Sequence, residues 1–380
     1  MRAGWQRKAI GEICDVVNGG TPKTGVAEYW GGPHQWLTPA EMGKRVTPYI
    51  GHTERTITDA GMQNSSARLL PQQSVILSSR APIGHLVINT VPMATNQGCK
   101  GLVPRNGLDS KYLYYYLASI VPLLNDLGTG ATFKELSGGK LKEVPVPVAP
   151  LPEQHRIVAI LDEAFDGIAT AKANAEKNLQ NAHALFESYL QSVFTQRDEG
   201  WVDTALEDCC KQIFAGGDVP KDRLSKERTP RYTVPIYSNG AQDDGLYGFT
   251  DVARVTQPSI TVSARGTIGF TAIRTEPFLP VVRLIVLTPD ESQIDLTFLH
   301  YTVLGMDFGN TGTSIPQLTV PNFKGQKLYL PPLKQQRAIV ANLDALREEI
   351  QRLESIYQQK LATLDDLKKS LLHQAFSGAL

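Results

Sequence analysis

The sequence lacks long hydrophobic runs and is poor in cysteine. No apolar stretch of the 380 residues approaches the roughly 20 residues that a membrane-spanning helix needs. The N-terminal stretch MRAGWQRKAI has no apolar signal-peptide core. The four cysteines form neither a CxxC zinc pattern nor a disulfide framework. These absences argue against a membrane-spanning, secreted or zinc-finger protein, and we expect a cytoplasmic one.

Catalytic motifs are also missing. The glycine-rich stretch NGGTPKTG resembles a phosphate-binding loop, but Pro22 stands where the Walker pattern needs glycine. Neither GxSxG nor HExxH occurs, and the seven histidines are scattered. The FxGxG loop and the (N/D/S)PP(Y/F) tetrapeptide of amino-methyltransferases are absent as well. We therefore expect no catalytic residue, no metal site and no cofactor in this chain.

An excess of charge of one sign is lacking too. The chain has 38 basic and 38 acidic side chains, a balance that argues weakly against binding to nucleic acid. The distribution is uneven, however, because residues 1–150 hold 15 basic and 10 acidic side chains, whereas residues 198–331 hold 12 and 16. A DNA-binding protein of this composition must gather its cations on one face, or rely on partner subunits for phosphate contacts.

What the sequence does contain is one stretch that occurs twice. PLPEQHRIVAILD begins at Pro150 and PPLKQQRAIVANLD at Pro331. The two align without a gap at a spacing of 182 residues, with Pro150 opposite Pro332. The alignment continues to Phe194 and Phe376. An uninterrupted match of this length indicates a rigid element with a fixed period.

Each copy is predicted to form one long helix. Alternate steps of four and three residues from Ile157 and from Ile339 follow mostly apolar positions, a period that is typical of a coiled-coil seam. The expected partner of each helix is the other copy. The first series continues through Leu185 and Tyr189 to Ser192, and the second through Leu367 and Leu371 to Gln374. Polar residues interrupt the two series at equivalent positions: Asn178, Ser192, Lys360 and Gln374. Two ordinary amphipathic core helices are the alternative, but they would leave the shared register unexplained.

The regions before the two helices also repeat. SVILSSRAPIG from Ser74 parallels SITVSARGTIG from Ser259, and GTGATFKEL from Gly128 resembles NTGTSIPQL from Asn310. Short β-rich runs alternate with Gly, Pro and Asn, and one helix is expected late in each region, near 111–124 and 297–304. We predict an α+β fold with two tandem globular α/β domains, each followed by a long helix. The predicted bounds are 1–149, 150–197, 198–331 and 332–380.

These features together resemble the specificity (S) subunit of type I restriction-modification systems. The boxes EQHRIVAILD and KQQRAIVANLD, the helix ends SYLQSVF and SLLHQAFSG, and the stretches GGTPKTGVAEYWGGPHQW and PIYSNGAQDDGLYGFTD bear the resemblance, which covers essentially the whole chain. It implies a non-catalytic subunit with two target recognition domains, each of which binds one half of a split DNA sequence.

The resemblance also implies how such a chain assembles. The two long helices would pack antiparallel as a coiled coil, acting as a spacer and as the docking surface for two modification (methyltransferase) subunits. Restriction subunits would join the full complex. S-adenosylmethionine, ATP and Mg²⁺ would be used by these partners, which together form an adenine-N6 methyltransferase and endonuclease.

Candidate DNA-contacting residues are polar side chains on the divergent loops, because Arg or Lys pairs with guanine and Asn or Gln with adenine. In the first domain they are Lys23, Thr24, Lys44, Arg45, Arg80, Asn96, Gln97 and Lys134. In the second they are Lys221, Arg223, Asn239, Gln242, Arg265, Thr313, Ser314 and Gln317. Arg80 and Arg265 share a repeat position, so phosphate contact suits them better than base recognition. A structural salt bridge or loop brace is the alternative for both.

Candidate partner-binding residues lie in the two boxes at the start of each helix. They are Gln154, Arg156, Gln336 and Arg337. A structural role, in which they brace the domain against its helix, is the alternative.

Two other functions compete with DNA specificity. A tandem-repeat scaffold that binds proteins or peptides agrees with the neutral net charge, and a steep loss of DNA affinity with rising salt would exclude it. A self-contained DNA methyltransferase or nuclease disagrees with the missing motifs.

Overall fold

The computed structural model of the chain describes residues 4–45, 47–130, 134–195, 199–306 and 318–380. The chain divides into two compact units. The first unit extends to Ala175 and includes Gln359–Leu380, and the second unit is Glu176–Gln358. Each unit therefore combines one globular domain with part of both long helices. The first unit is not continuous in sequence.

In the described residues, the first globular domain contains ten short strands and six short α-helices. The strands are β1 Gln6–Ala9, β2 Cys14–Asn18, β3 Trp30–Leu37, β4 Tyr49–Ile50, β5 Arg55–Ile57, β6 Val75–Ser79, β7 Ile83–Asn89, β8 Met93–Thr95, β9 Cys99–Pro104 and β10 Pro145–Val148. The helices are α1 Ile10–Ile13, α2 Pro39–Met42, α3 Asp59–Gln63, α4 Ser110–Ser119, α5 Val121–Leu127 and α6 Gly138–Glu143, followed by the long helix α7, Leu151–Thr195.

The second globular domain repeats much of this plan in the residues that the structure describes. Its strands are β11 Val202–Ala205, β12 Cys210–Ala215, β13 Val234–Tyr237, β14 Leu246–Thr250, β15 Ser259–Val262, β16 Thr271–Arg274, β17 Leu279–Pro280, β18 Ile285–Pro289 and β19 Lys327–Leu330. Its helices are α8 Leu296–Leu304 and α9 Val320–Lys324, followed by the long helix α10, Leu333–Ser377.

The sequence predicted a single helix near residues 111–124, and this detail is wrong. The structure has two helices there, α4 and α5, separated at Ile120. Pro122 lies in the first turn of α5, where its missing N–H leaves no bond unmade, whereas the same residue inside a continuous helix would remove one.

The sheets of the two domains share one strand order, with β4 as an additional edge strand beside β7 in the first domain. The order β2-β9-β6-β7 in the first domain corresponds to β12-β18-β15-β16 in the second. The order β5-β3-β8 corresponds to β14-β13-β17, and in both cases the central strand pairs antiparallel with one neighbour and parallel with the other. The pairs β1-β10 and β11-β19 match as well. The repeat seen in the sequence is therefore a repeat of the fold.

Within each unit the two long helices run antiparallel. In the first unit Lys172 forms an ion pair with Asp365, and Arg156 donates to the main-chain oxygen of Leu380 at 2.8 Å. In the second unit His183 lies 3.2 Å from Glu354, and Leu190 packs in one cluster with Leu343. Residue numbers rise along one helix as they fall along the other, as an antiparallel pair requires.

The helices also complete the core of each unit. Ile157 and Leu161 of α7 and Leu372 of α10 belong to the same apolar cluster as the interior of the first domain. In the second unit, Leu190 and Leu343 pack with Tyr301 of α8. A globular domain without its helix segments would expose this apolar surface, so we regard each unit as the smallest part with a complete core.

The predicted seam is correct at the start of each helix and wrong near its end. Ile157, Leu161 and Ala182 are buried, but Leu185 is 58% exposed and its repeat equivalent Leu367 is 45% exposed. The buried positions shift instead to Leu190, Leu372 and Ala375. An α-helix drifts by about 20° per heptad from a 3.5-residue period. Leu185 and Leu367, four heptads after Ile157 and Ile339, therefore no longer face the partner helix. The predicted polar seam residues Asn178, Lys360 and Gln374 are exposed, while Ser192 is half-buried.

None of the helices in the described ranges combines the length and the apolar character that crossing a membrane requires.

Candidate nucleic-acid interface

The glycine-rich loop after β2 packs on the turn that precedes β9. Gly20 donates its N–H to the oxygen of Thr95 at 2.8 Å, and Thr21 and Gln97 form a side-chain hydrogen bond. A Cβ added at Gly19 would lie 1.8 Å from the oxygen of Asn96. Glycine is needed here because two main chains approach closely, and the two predicted loops are brought side by side.

Two tryptophans and an arginine extend this surface. Trp36 donates its indole N–H to Gly20 at 2.9 Å, and Trp30 donates to the oxygen of Lys23 at 3.3 Å. The guanidinium of Arg55 lies 3.6 Å from the ring centroid of Trp30. Arg55 has no carboxylate partner within the described ranges, so its N–H donors stay available while the aromatic face holds its plane.

Arg55 was not predicted from the sequence. It faces the tryptophans because β5 pairs antiparallel with β3, and Arg55 stands opposite Trp36 in the register. Only a prediction of that strand pairing could have identified it.

Arg80 joins the same surface from the end of β6. Its guanidinium lies 3.8 Å from Glu135, and the buried ammonium of Lys100 lies 3.9 Å from the same carboxylate. Gly98 packs directly against the Arg80 side chain. Two cations thus share one acid beside the turn. We call Lys23, Thr24, Arg55, Arg80 and Gln97 the first recognition surface.

The remaining first-domain candidates are engaged within the domain or exposed. Lys44 forms an ion pair with Glu54 at 3.1 Å, and Arg45 donates to the oxygen of Tyr49 at 3.1 Å. Lys134 is exposed. The structure brings Lys23, Thr24, Arg80 and Gln97 together and does not place Lys44 or Arg45 in contact with them.

Four loops converge at the equivalent edge of the second domain. Gly216 donates its N–H to Leu284 at 2.8 Å, just as Gly19 donates to Cys99 at 3.2 Å in the first domain. Gly240 donates to the hydroxyl of Ser263 at 3.0 Å. The loops that meet are those at 216–217, 238–245, 263–266 and 281–283. We call Gln242, Arg265, Val282 and Arg283, which are exposed on them, the second recognition surface.

Two predicted asparagines support the loops. The amide oxygen of Asn96 accepts the N–H of Gly98 at 2.8 Å, and that of Asn239 accepts the N–H of Ala264 at 2.7 Å. Asn239 also donates to the oxygen of Val282 at 2.6 Å. Asparagine favours such turn contacts because its short amide reaches nearby main-chain groups. These bonds occupy both amide groups of Asn239 and the amide oxygen of Asn96, which adenine recognition would use.

The other second-domain candidates lie on the loop before β13 or outside the described residues. Arg223 pairs with Asp251 at 2.7 Å, which lowers the pKa of that carboxyl and raises the pKa of Arg223, and Lys221 is exposed beside it. Thr313, Ser314 and Gln317 lie outside the described residues.

The residues predicted for partner binding have two different environments. Gln154 and Gln336 are fully buried. Gln154 accepts the N–H of Asp109 and donates to the oxygens of Gly107 and Ala149, all at 2.8 Å. Gln336 makes the equivalent bonds to Asp295, Gln293 and Pro331, also at 2.8 Å. These contacts favour the bracing role for both glutamines and leave no part of either amide on the surface.

The two arginines of the boxes are exposed. Arg156 forms a bidentate pair with Glu153, both bonds measuring 2.8 Å, and this hydrogen bonding raises the pKa of Arg156. Arg337 is exposed on α10. Both remain candidates for contact with a partner.

A second repeated contact fastens each domain to its helix. Tyr115 donates its hydroxyl to Asp162, and Tyr301 donates to Asp344 at 2.6 Å. Burial and the adjacent carboxylate raise the pKa of Tyr301 to about 12 and the pKa of Tyr115 as well. Both phenols are therefore neutral donors at physiological pH, and the contact is structural.

Three buried titratable groups outside the two recognition surfaces are neutral near pH 7. Burial raises the pKa of the Cys14 and Cys99 thiols to about 12. Burial and the nearby Arg347 lower the pKa of His300 to about 4, so its imidazole is neutral near pH 7. Across the residues that the structure describes, no three His, Cys, Asp or Glu side chains are grouped to hold a metal ion.

Known proteins are similar to this chain in sequence. Residues 2–180 and 198–361 match the family described as the type I restriction modification DNA specificity domain. The chain is 34% identical to the specificity subunit of the type I restriction enzyme MjaIX from Methanocaldococcus jannaschii, over 99% of this chain and 93% of that one. It is 31% identical to a putative type I specificity subunit of Mycoplasma pneumoniae, over 67% of this chain and 69% of that one.

Solved structures agree in fold. A chain from a type I R-M system superposes with a TM-score of 0.84 at 18% identity, covering 100% of this chain and 99% of that one. The HsdS subunit from Thermoanaerobacter tengcongensis superposes with a TM-score of 0.68 at 18% identity, covering 100% and 98%. With a family match in each half and a 34% identical relative along nearly its whole length, the chain belongs to the type I restriction-modification DNA specificity family.

Proposed function

We propose that this chain is the DNA-specificity subunit of a type I restriction-modification complex in the cytoplasm, and that each globular domain recognises one half of a bipartite DNA sequence. The observation that supports this most directly is the contrast between framework and loops. The sheets and the glutamine braces recur in both domains, whereas the turn Gln97–Gly98, where Gln97 is exposed, corresponds to Val282–Arg283, where both residues are exposed. One framework with two sets of exposed side chains suits two different half-sites.

The target is expected to be asymmetric and interrupted. Because the two recognition surfaces differ, the two half-sites should differ in sequence. Each long helix has 45 residues, which corresponds to about 67 Å at 1.5 Å per residue, so a rigid spacer is available. Half-sites contacted from one face of a duplex lie about one helical turn, roughly 10 bp, apart.

The partners in this proposal are two methyltransferase subunits, joined by restriction subunits in the full complex. S-adenosylmethionine, ATP and Mg²⁺ would be used by those subunits for adenine-N6 methylation and for cleavage. Two exposed leucines support two equivalent docking points, because Leu185 and Leu367 occupy the same position of the repeat and are 58% and 45% exposed. Exposed apolar side chains at repeated positions favour contact with two copies of one partner.

Replacing these leucines tests the stoichiometry. Leu185→Asp and Leu367→Asp should each weaken the binding of one methyltransferase subunit about 10- to 100-fold, because a buried leucine contributes about 1.5–3 kcal/mol to an interface. Native mass spectrometry of the co-expressed complex should show one bound copy for each single variant and none for the double variant. Leu69→Asp, at a 44% exposed leucine of the first domain, is the matched control. Two copies bound to the double variant would contradict docking at these positions.

The function itself is tested by mapping methylated adenines. The chain is co-expressed with its methyltransferase partner in a host that lacks adenine methylation, and the modified sites are read by long-read sequencing. We expect a split, asymmetric motif that appears only when both chains are present. Exchange of residues 1–149 for those of a relative should change one half-site alone. Co-purification without any new methylation would contradict the proposal and favour the protein-binding scaffold.

A further inference from the structure

The second recognition surface contains an unusual two-residue turn. Val282 and Arg283 are consecutive residues in the left-handed region, with φ of 53° and 61°. This region is unfavourable for residues with a Cβ and most unfavourable for β-branched ones, so valine is a poor choice for it. At the equivalent positions of the first domain, Gln97 and Gly98 both have ordinary φ values. The strained conformation is thus a property of the second domain and not of the shared framework.

Main-chain bonds hold the turn in this conformation. Val282 donates its N–H to Gly217 at 2.8 Å and Arg283 donates to Gly216 at 3.2 Å. The oxygen of Val282 accepts from the amide of Asn239 at 2.6 Å. Both glycines belong to the loop that corresponds to the glycine-rich loop of the first domain. The backbone is therefore fixed on two sides, and only the side chains point away from these contacts.

Both side chains are exposed. Val282 is 45% exposed, which is unusual for an apolar side chain that the protein holds at a conformational cost. Arg283 is exposed too, and within the described ranges it has no side-chain hydrogen bond or ion pair. Neither side chain packs in the core, so packing does not account for the strain. Strained residues that the surrounding structure holds in place are concentrated at functional sites.

We propose that Val282 and Arg283 are the base-recognition element of the second domain. Arg283 binds a guanine of its half-site through the two parallel N–H donors of the guanidinium, and Val282 packs against the methyl group of an adjacent thymine. Arginine is suited to this contact because its donors match O6 and N7 of guanine, and an apolar side chain is suited to the thymine methyl. This inference rests on the proposed function, since it names residues that determine one half-site.

The structure also explains why the sequence concealed this element. Val282 and Arg283 lie in the run FLPVVRLIVL, which is typical of a buried strand by composition. Arg283 lies in neither strand, because β17 ends at Pro280 and β18 begins only at Ile285. Its side chain is therefore not buried in the sheet. The turn between these strands is held by Gly216, Gly217 and Asn239. All three are distant from the turn in the chain.

The test uses the complex of the full chain with its methyltransferase partner and a plasmid library with randomised half-sites. Exchange of residues 1–149 first identifies the half-site that belongs to the second domain. Arg283→Ala should then reduce the preference for one guanine of that half-site by about tenfold or more, with the other half-site unchanged. Val282→Asn should alter the preference at the neighbouring position while raising the melting temperature of the second unit by about 2–4 °C, because asparagine tolerates this conformation.

Two substitutions outside the second recognition surface serve as controls. Arg352→Ala, at a helix arginine paired with Glu349, and Val202→Gly, at a 62% exposed strand valine, should leave both half-sites unchanged. A uniform loss of DNA affinity in Arg283→Ala with an unchanged motif would identify a phosphate contact and overturn the inference. An unchanged second half-site in both variants would overturn it as well. If the wild-type complex recognised no split sequence, the proposed function would be overturned together with the inference.

Discussion

Replacement of Gln154 by alanine should lower the melting temperature of the first unit by about 10 °C, and Gln336→Ala should do the same to the second unit. Each glutamine satisfies one N–H and two carbonyl groups of the main chain, in bonds that are buried or half-buried. A buried polar group left without a partner costs about 1–3 kcal/mol, so the expected total is on the order of 3–5 kcal/mol. For units of this size, 1 kcal/mol corresponds to about 2–4 °C.

Calorimetry of the full chain can distinguish the two glutamines. Gln154→Ala should shift one transition and Gln336→Ala the other, because each brace lies within one compact unit. Gln180→Ala and Gln351→Ala are matched controls, since both glutamines are exposed on the long helices, and they should change the melting temperature little. If Gln154 and Gln336 served mainly to bind partners, their alanine variants would melt as the wild type does and lose only assembly, which would contradict the bracing role.

Gly19→Ala should destabilise the first unit by about 3 kcal/mol or more and abolish recognition of one half-site. The added Cβ would lie 1.8 Å from the oxygen of Asn96 and 2.5 Å from the hydroxyl of Thr95. Main chain cannot move aside as the end of a flexible side chain can, so the loop and the turn must separate. That separation breaks the bond from Gly20 to Thr95 and displaces the loop that holds Lys23 and Thr24.

Gly25→Ala is the matched control in the same loop. No atom lies within 4 Å of the position that its Cβ would take, so stability and half-site preference should remain those of the wild type. Thermal unfolding gives the first quantity and the methylated motif the second. Gly216→Ala, where the Cβ would lie 2.6 Å from the main chain of Pro280, should repeat the effect in the second unit. Equal melting temperatures for Gly19→Ala and Gly25→Ala would show that the loop yields easily and that our account of the glycines is wrong.

The repeat, the long helices and the family could be predicted from the sequence, and the family prediction is confirmed. The reason is that both box sequences carry side chains with fixed local roles. Gln154 and Gln336 stand at the same distance from the proline that precedes each helix, and each makes the same three bonds. A pattern repeated at a constant spacing of 182 residues indicates a common structure even when neither copy reveals its contacts.

The helix seam shows where extrapolation along the chain fails. The period was correct over the first turns, but Leu185 and Leu367 are exposed because small angular errors accumulate along a straight helix. The two errors occur at equivalent positions, which is itself evidence for the repeat. Leu185 and Leu367, which were predicted to lie between the helices, are therefore candidates for contact with a partner.

The recognition surfaces were predicted only in part. Loop polarity was sufficient to propose Lys23, Thr24, Arg80 and Gln97, which the structure brings together. It also proposed Asn96 and Asn239, whose amides support their own loops. Assignment of every predicted residue to DNA contact remains a prediction, including Thr313, Ser314 and Gln317 outside the described residues.

The sequence by itself determined that this protein is a tandem repeat of a domain and a long helix, because periodicity and repetition are properties of residue order. Only the tertiary structure decided that Arg55 stacks on Trp30 and that Val282 and Arg283 form an exposed left-handed turn. The physical reason is that both features depend on main-chain bonds and strand pairings between residues far apart in the chain. Such bonds fix the direction of a loop side chain, and no local pattern of residues records them.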